Sequence, residues 1–178
     1  MKKSNISLFQ FLGFAITSFV GTLLHFLYDW SGKSIFTAPF SAVNESTWEH
    51  MKILFFPMFV FALIQSFFCK GEKNFWCIKC RGILLGILLI PVLFYTYNGI
   101  FGKSPDFINI TIFFVAAAAS YFMETRLFKK EYLHFLSSKI SLIILFAIAL
   151  IFILFTFKTP EIPLFRDPLT GTYGIAEK

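Results

Sequence analysis

The chain has 178 residues, of which 57% are hydrophobic and 15% charged, and it contains 27 phenylalanines. Its mean hydropathy of +0.72 is typical of an integral membrane protein and excludes an ordinary soluble or disordered chain. The net charge of +6 calls for no nucleic-acid partner, because membrane insertion and anionic lipid headgroups account for a basic face.

Five apolar segments follow one another, each with about the ~20 residues that a helix needs to cross a ~30 Å hydrocarbon core. Because lipid cannot satisfy backbone polar groups and the segments lack strand alternation, we predict an all-α membrane bundle of five transmembrane helices. The single predicted domain, 1–178, contains helices at about 8–30, 45–68, 83–101, 107–128 and 140–157 and a C-terminal cap at 158–178. The first segment is long for a signal peptide and lacks a small-residue cleavage site, so we expect it to be retained.

Lys and Arg are distributed unequally between the two predicted sides of the membrane. Ten lie on the side of the N-terminus and six on the opposite side, and three of those six belong to the C-terminal tail. The positive-inside rule therefore predicts a cytoplasmic N-terminus and an extracytoplasmic tail.

Polar side chains converge on the predicted outer layer. A rise of ~1.5 Å per residue places His25, Asp29, Glu49 and His50 near one membrane boundary. His25 and Asp29 share a helix face at i and i+4, as do Glu45 and Glu49. The same layer receives Tyr95, Tyr97, Asn98 and Asp106.

Imidazole and carboxylate groups at these positions suit a divalent metal such as Zn, Mn or Fe. We predict that the metal ligands are His25, Asp29, Glu49 and His50. The predicted catalytic carboxylates are Glu45, which acts as general base, and Glu49. The predicted substrate-binding residues are Asn44, Trp48, Lys52, Tyr95, Asn98, Arg166 and Asp167. The same groups would also suit an organic cation or a proton relay.

A structural interpretation of the second segment's start stays open beside the functional one. Asn44 is a suitable N-cap, and the helix dipole favours a negative charge at Glu45. Glu49 can pair with Lys52 at i+3, and Trp48 suits an interfacial position. Helix initiation requires neither histidine.

The tail combines turn-forming Asp-Pro and Thr-Gly pairs with apolar residues that a disordered segment would not need. Those apolar residues are Leu164, Phe165, Leu169 and Tyr173. We therefore predict a folded cap over the outer mouth of the bundle. Arg166 and Asp167 would reach the second helix's carboxylates or a lipid headgroup, or form a surface ion pair.

Cys69, Cys77 and Cys80 fall in the predicted cytoplasmic loop, where thiols stay reduced, so no disulfide framework is expected. A metal site there lacks an evident fourth ligand, and unmodified or palmitoylated thiols are the alternative. His134 is predicted to be a solvated surface residue. The sequence contains no Walker loop, dinucleotide fingerprint, nucleophile elbow or H-E-x-x-H run, so nucleotide-driven and serine-hydrolase mechanisms are not indicated.

Two segments, NESTWEHMKILFFPM and PEIPLFRDPLTGTYGI, resemble the signature of a family of small bacterial polytopic membrane proteins of unknown function. This resemblance covers essentially the whole chain. It implies a multi-pass protein of the bacterial cytoplasmic membrane, and it implies no activity.

The run ESTWEH at Glu45 to His50 is similar to the helix opening E-[ST]-x-N-x-W-x-H of the progestin and adiponectin receptor family, relatives of the alkaline ceramidases. That resemblance implies that His50 binds zinc in a lipid-amide hydrolase site. The Glu-to-His spacing is two residues shorter here, and the family's late H-x-x-x-H is absent. Carboxylates would therefore have to complete the ligand set.

Two functional hypotheses follow from these patterns. The first is a metal-dependent hydrolase or transferase that acts on a lipid or lipid-linked substrate at the outer leaflet. The alternative is a small transporter, channel subunit or membrane binding protein, in which Asp29, Glu45 and Glu49 form a cation or solute site lined by Tyr95 and Asn98. Membrane lipid is the expected partner, and transport would require a homo-oligomer or a membrane partner.

Overall fold

The structure, a computed structural model, describes residues 3–102, 104–129 and 137–175. The helices within these ranges are α1 (Lys3–Trp30), α2 (Thr47–Phe68), α3 (Phe75–Phe101), α4 (Asp106–Phe128) and α5 (Ser138–Phe157), followed by a short 3-10 turn at Pro163–Phe165. Each of the five α-helices is long and apolar enough to cross a membrane. The prediction of an all-α, five-helix membrane bundle is therefore confirmed.

All five helix starts differ from the prediction, with α1 beginning at Lys3 rather than at residue 8, and the contacts of α2 and α3 explain two of the differences. α2 begins at Thr47 because Ser46 caps it, accepting a hydrogen bond from the backbone N of Glu49 at 3.4 Å. Asn44, the expected cap, instead accepts a hydrogen bond from the backbone N of Ser46 at 2.9 Å. α3 begins at Phe75 rather than at residue 83, and the charge of Lys79, which lies in the added turns, is neutralised inside the bundle by Glu124.

Helices α1 to α4 form a closed ring, and α5 lies outside it. Each of the first three helices packs on the next and α4 packs back on α1, whereas α5 contacts α3 and α2. α2 is the most enclosed helix, with Leu54 and Phe55 fully buried. The outward faces carry exposed apolar side chains such as Phe11, Phe19 and Ile143, as expected for surfaces in contact with lipid.

Small residues set the distance between neighbouring helices. An added Cβ at Gly13 or Gly21 of α1 would lie 2.5 Å from a ring carbon of Tyr121 or Phe113 of α4. A Cβ at Gly82 of α3 would likewise overlap the side chain of Glu124. Glycine at these positions lets the side chains of α4 lie directly against the neighbouring backbones, as in other membrane helix pairs.

An ion pair links α3 to α4 at the end of the bundle where α2 ends. Lys79 Nζ lies 2.7 Å from Glu124 Oε2, and the two side chains are 1% and 0% exposed. Gln10 of α1 accepts a further hydrogen bond from Lys79 at 3.4 Å. Both charges are buried, and each neutralises the other.

Candidate metal centre

The loop between α1 and α2 folds back on the end of α1. Lys33 adopts a left-handed backbone conformation, with φ of 61°, and reverses the chain. The returning segment is then fixed by a hydrogen bond from the Ala42 backbone N to the Leu24 carbonyl at 3.2 Å. Glu45, the residue before the Ser46 cap, is thereby placed beside the last turns of α1.

Three side chains from three successive segments meet at this end of the bundle. His25 Nε2 of α1 lies 3.5 Å from Glu45 Oε1, and His50 Nε2 of α2 lies 3.7 Å from Glu45 Oε2. The two imidazole centroids are 5.5 Å apart. Helical rise predicted that the two histidines lie at one level of the membrane, and this geometry agrees with that expectation.

Local contacts orient the His50 ring toward the cluster. Its Nδ1 lies 2.9 Å from the Ser46 carbonyl oxygen, which is an acceptor only, so the ring proton is placed on Nδ1. Nε2 is left as a lone-pair donor that points to Glu45. The Nδ1 atom of His25 is buried without a hydrogen-bond partner.

The three residues could hold a divalent metal ion. One ligand atom from each of His25, Glu45 and His50 can be chosen so that all lie within 4.8 Å of one another. Two ligands of one ion at ~2.1 Å lie at most ~4.2 Å apart, so binding would require only small rotations of the three side chains. Two imidazoles and one carboxylate are a ligand set of catalytic zinc sites, which keep a further position open for water.

Glu49, a predicted ligand, is engaged elsewhere. Its Oε2 lies 2.6 Å from Lys52 Nζ and accepts a hydrogen bond from the Val43 backbone N at 3.0 Å. Lys52 also donates to the Ala38 carbonyl at 2.9 Å and to Thr156 Oγ1 at 3.0 Å. Both charges are buried. Glu49 and Lys52 therefore form the i+3 ion pair that the structural interpretation predicted.

Asp29, the other predicted ligand, also lies outside the cluster. Its residue is exposed, and the metal-competent group among the described residues contains neither Asp29 nor Glu49. Glu45 is the carboxylate of the cluster. It lies before the first residue of α2, so the direction of its side chain is not set by helix geometry. Of the three carboxylates that the transport hypothesis brings together, only Glu45 belongs to the group that could hold a metal among the described residues.

Three of the predicted substrate-binding residues take part in contacts that hold the tail against the start of α2. Asn44 Nδ2 donates to the Gly174 carbonyl at 2.8 Å. Trp48 packs with its ring centroid 4.4 Å from that of Phe165, which is 3% exposed. Asp167 Oδ2 accepts a weak hydrogen bond from the Glu45 backbone N at 3.4 Å. The ordered tail thus contacts the residues around the cluster.

The remaining predicted substrate-binding residues separate into two groups. Tyr95 is 42% exposed, and Arg166 is exposed and donates to the carbonyl of Gly171, within its own turn, at 3.4 Å. Asn98, by contrast, lines a cavity of about 40 Å³ together with Glu45, Pro168 and Leu169. Of this group, only Asn98 shares a cavity with the cluster.

Asn109 is a site residue that sequence reasoning missed. It lines the 40 Å³ cavity, a second cavity of about 20 Å³ beside Glu45 and His50, and an apolar groove of about 200 Å³ that contains both histidines. Ser104 Oγ donates to Asn109 Oδ1 at 2.8 Å. The side-chain amide nitrogen of Asn109 is therefore the atom that can donate a hydrogen bond to a molecule in these cavities. The sequence feature that could have identified Asn109 is its position one turn into α4, as a polar residue in an otherwise apolar run.

The three cysteines lie at the opposite end of the bundle and are buried. Burial raises the pKa of the Cys69 thiol above its ordinary value, since a thiolate is poorly solvated there. Buried side chains do not present accessible sites for acylation, so the palmitoylation hypothesis lacks a structural basis. His134 lies outside the described residues.

Comparisons with known proteins place the chain in a family without assigning an activity. No curated protein and no solved structure matches the chain significantly. The model of DUF6512, a family of unknown function, matches residues 1–175. This match is consistent with the predicted family of unknown function over the whole chain, while the two signature segments and the similarity to the progestin and adiponectin receptors stay predictions. The chain belongs to the family DUF6512.

Proposed function

We propose that this protein is a metal-dependent membrane hydrolase that acts on a lipid or lipid-linked substrate. The observation that carries the proposal is the approach of the donor atoms of His25, Glu45 and His50 to within 4.8 Å of one another. An apolar groove begins at the same two histidines. A polar reaction centre is thereby joined to a surface that suits hydrocarbon.

The three side chains would bind Zn, Mn or Fe, which would lower the pKa of a bound water toward ~7. Glu45 would use one oxygen as ligand, and its other oxygen would accept the proton of that water. The 20 Å³ cavity beside Glu45 and His50 has room for one water, because a site needs about 10–15 Å³. Asn109 would donate its amide N–H to the substrate oxygen that gains negative charge.

Metal analysis of detergent-purified protein tests the ligand assignment. We expect about one divalent ion per chain in the wild type after reloading, and its loss in His25→Ala, Glu45→Gln and His50→Ala. Asp29→Asn is the control, because Asp29 lies outside the cluster, and it should retain the ion. Affinity should fall as the pH is lowered, since protons compete for the imidazoles. Wild-type protein without stoichiometric metal, or an undiminished content in His50→Ala, would end the proposal.

The metal centre would face the extracytoplasmic side of a bacterial cytoplasmic membrane, as the distribution of Lys and Arg indicates. A membrane-impermeant maleimide applied to intact cells should label Thr170→Cys, at an exposed position of the tail. Gly71→Cys, in the exposed loop between α2 and α3, should be labelled only after lysis. The reverse pattern would show a cytoplasmic metal centre.

Turnover is the second test. Metal-loaded protein in vesicles of bacterial lipid extract should release a hydrolysis product detectable by mass spectrometry. The Glu45→Gln protein should release none. Product release that is equal in metal-free and metal-loaded wild type would refute the hydrolytic role.

A further inference from the structure

The apolar groove between α1 and α4 has two unlike ends. Its floor is Gly21 of α1, against which the Phe113 ring of α4 is placed. Its upper end contains His25, His50 and Asn109. A molecule lying in the groove therefore meets hydrocarbon along most of its length and polar groups at one end.

The rim of this groove belongs to the surface that would contact lipid. Phe26 of α1 is 45% exposed, and Ile110 and Phe114 of α4 are 58% and 37% exposed. These residues lie within two predicted membrane spans. An amphiphile can thus enter sideways from the bilayer without passing through water or under the tail.

The volume limits what the groove can hold. It measures about 200 Å³, whereas an apolar cavity of about 150 Å³ binds one benzene-sized molecule. One hydrocarbon chain segment fits, and two side by side do not. The Phe113 ring fills the space over Gly21, since a Cβ added there would lie 2.5 Å from a ring carbon.

A second lipid-facing groove, between α3 and α4, provides an internal comparison. It is larger, at about 330 Å³, and is lined by residues such as Leu93, Ile108 and Val115. It contains no histidine or carboxylate. Size alone would favour this second groove, so the polar end is what makes the α1/α4 groove specific.

We propose that the α1/α4 groove binds a single acyl chain of a membrane amphiphile and holds its polar headgroup at the His25–Glu45–His50 cluster. This inference rests on the proposed hydrolytic function and names its substrate class. Such a substrate has one chain within reach of the groove, as in a lysophospholipid or another single-chain lipid, and its scissile bond lies where chain and headgroup join.

The test uses a lysophosphatidylcholine with a diazirine midway along its acyl chain, added to protein in phosphatidylcholine nanodiscs. After irradiation, mass spectrometry should find label in residues 21–26 of α1 and 110–114 of α4. An excess of unmodified lysophosphatidylcholine should remove this label. Labelling of lipid-facing residues elsewhere should change little, because bulk lipid contacts are not saturable.

A matched pair of variants separates a binding site from general lipid contact. Thr22 lines the α1/α4 groove and Thr111 lines the α3/α4 groove. Both are exposed and bond the carbonyl of the residue four positions earlier. Thr22→Trp should lower groove labelling at least about tenfold, because excluding even two methylenes has that effect. Thr111→Trp should leave it unchanged.

Metal content, measured on the same samples, distinguishes failure of this inference from failure of the proposed function. Three results would overturn the acyl-chain site: equal labelling of the two grooves, label that unmodified lipid does not displace, or full labelling of Thr22→Trp. If the same samples contain bound metal, the hydrolase proposal is not affected by these results. Saturable groove labelling in a protein that binds no metal would support the acyl-chain site and refute the metal centre.

Discussion

Replacing Lys52 by methionine would leave the carboxylate of Glu49 buried without its counter-charge. Lys52 Nζ contacts Glu49 Oε2 at 2.6 Å, and it donates to Ala38 and Thr156 at 2.9 and 3.0 Å. The Lys52 and Glu49 side chains are 0% and 3% exposed. Water cannot replace the lost ammonium group, so the cost of the unpaired charge falls on the folded state.

The expected loss is large for a single substitution. Removing one partner of a buried ion pair costs about 3–5 kcal/mol. For a chain of this size each kcal/mol lowers Tm by about 2–4 °C, so Lys52→Met should unfold about 6–20 °C below the wild type. Glu49→Gln combined with Lys52→Met removes both charges, and its loss should be smaller than the sum of the two single losses.

Thermal unfolding in detergent, followed by intrinsic fluorescence, gives these values for the two single variants and the double variant. Metal content gives a second readout, because Glu49 and Lys52 are expected to stabilise the fold and not to bind the metal. Folded Glu49→Gln should keep the metal that Glu45→Gln loses. A Tm for Lys52→Met equal to that of the wild type would refute the buried pair. Loss of metal from a fully stable Glu49→Gln would return Glu49 to the ligand set.

Two further substitutions examine packing away from the cluster. Gly82→Ala should destabilise the bundle by about 1–3 kcal/mol, because the added Cβ overlaps the buried glutamate of α4. Gly99→Ala, also in α3 but with no atom within 4 Å of the added Cβ, should not destabilise it; equal Tm values would contradict the close approach. Phe165→Ala removes a ring that is 3% exposed and should weaken docking of the tail by about 3–5 kcal/mol. Limited proteolysis should then cut residues 159–175 faster than in the wild type, and an unchanged rate would show that the tail does not depend on this contact.

The sequence by itself determined the architecture along the membrane normal. Segment length and apolarity specified five spans, because the hydrocarbon core fixes how many residues a helix needs. Helical rise brought His25 and His50 to one level, since depth depends only on the count of residues from the boundary. Turn residues and apolar side chains in the tail predicted its order, and Phe165 packs on Trp48 accordingly.

Only the tertiary structure decided which side chains face one another across helices. In a soluble helix the polar face reveals the rotation, but here lipid-facing and buried faces are both apolar, so the pattern carries little rotational information. Glu49 turns to Lys52 while Glu45 joins the histidines, although the two glutamates are four residues apart. Contacts between distant segments, such as Lys79 with Glu124, depend on that same rotation. Burial of Lys79 and Glu124 follows from their pairing across α3 and α4, which no single segment of the sequence contains, whereas the i+3 pairing of Glu49 with Lys52 was predicted from the sequence.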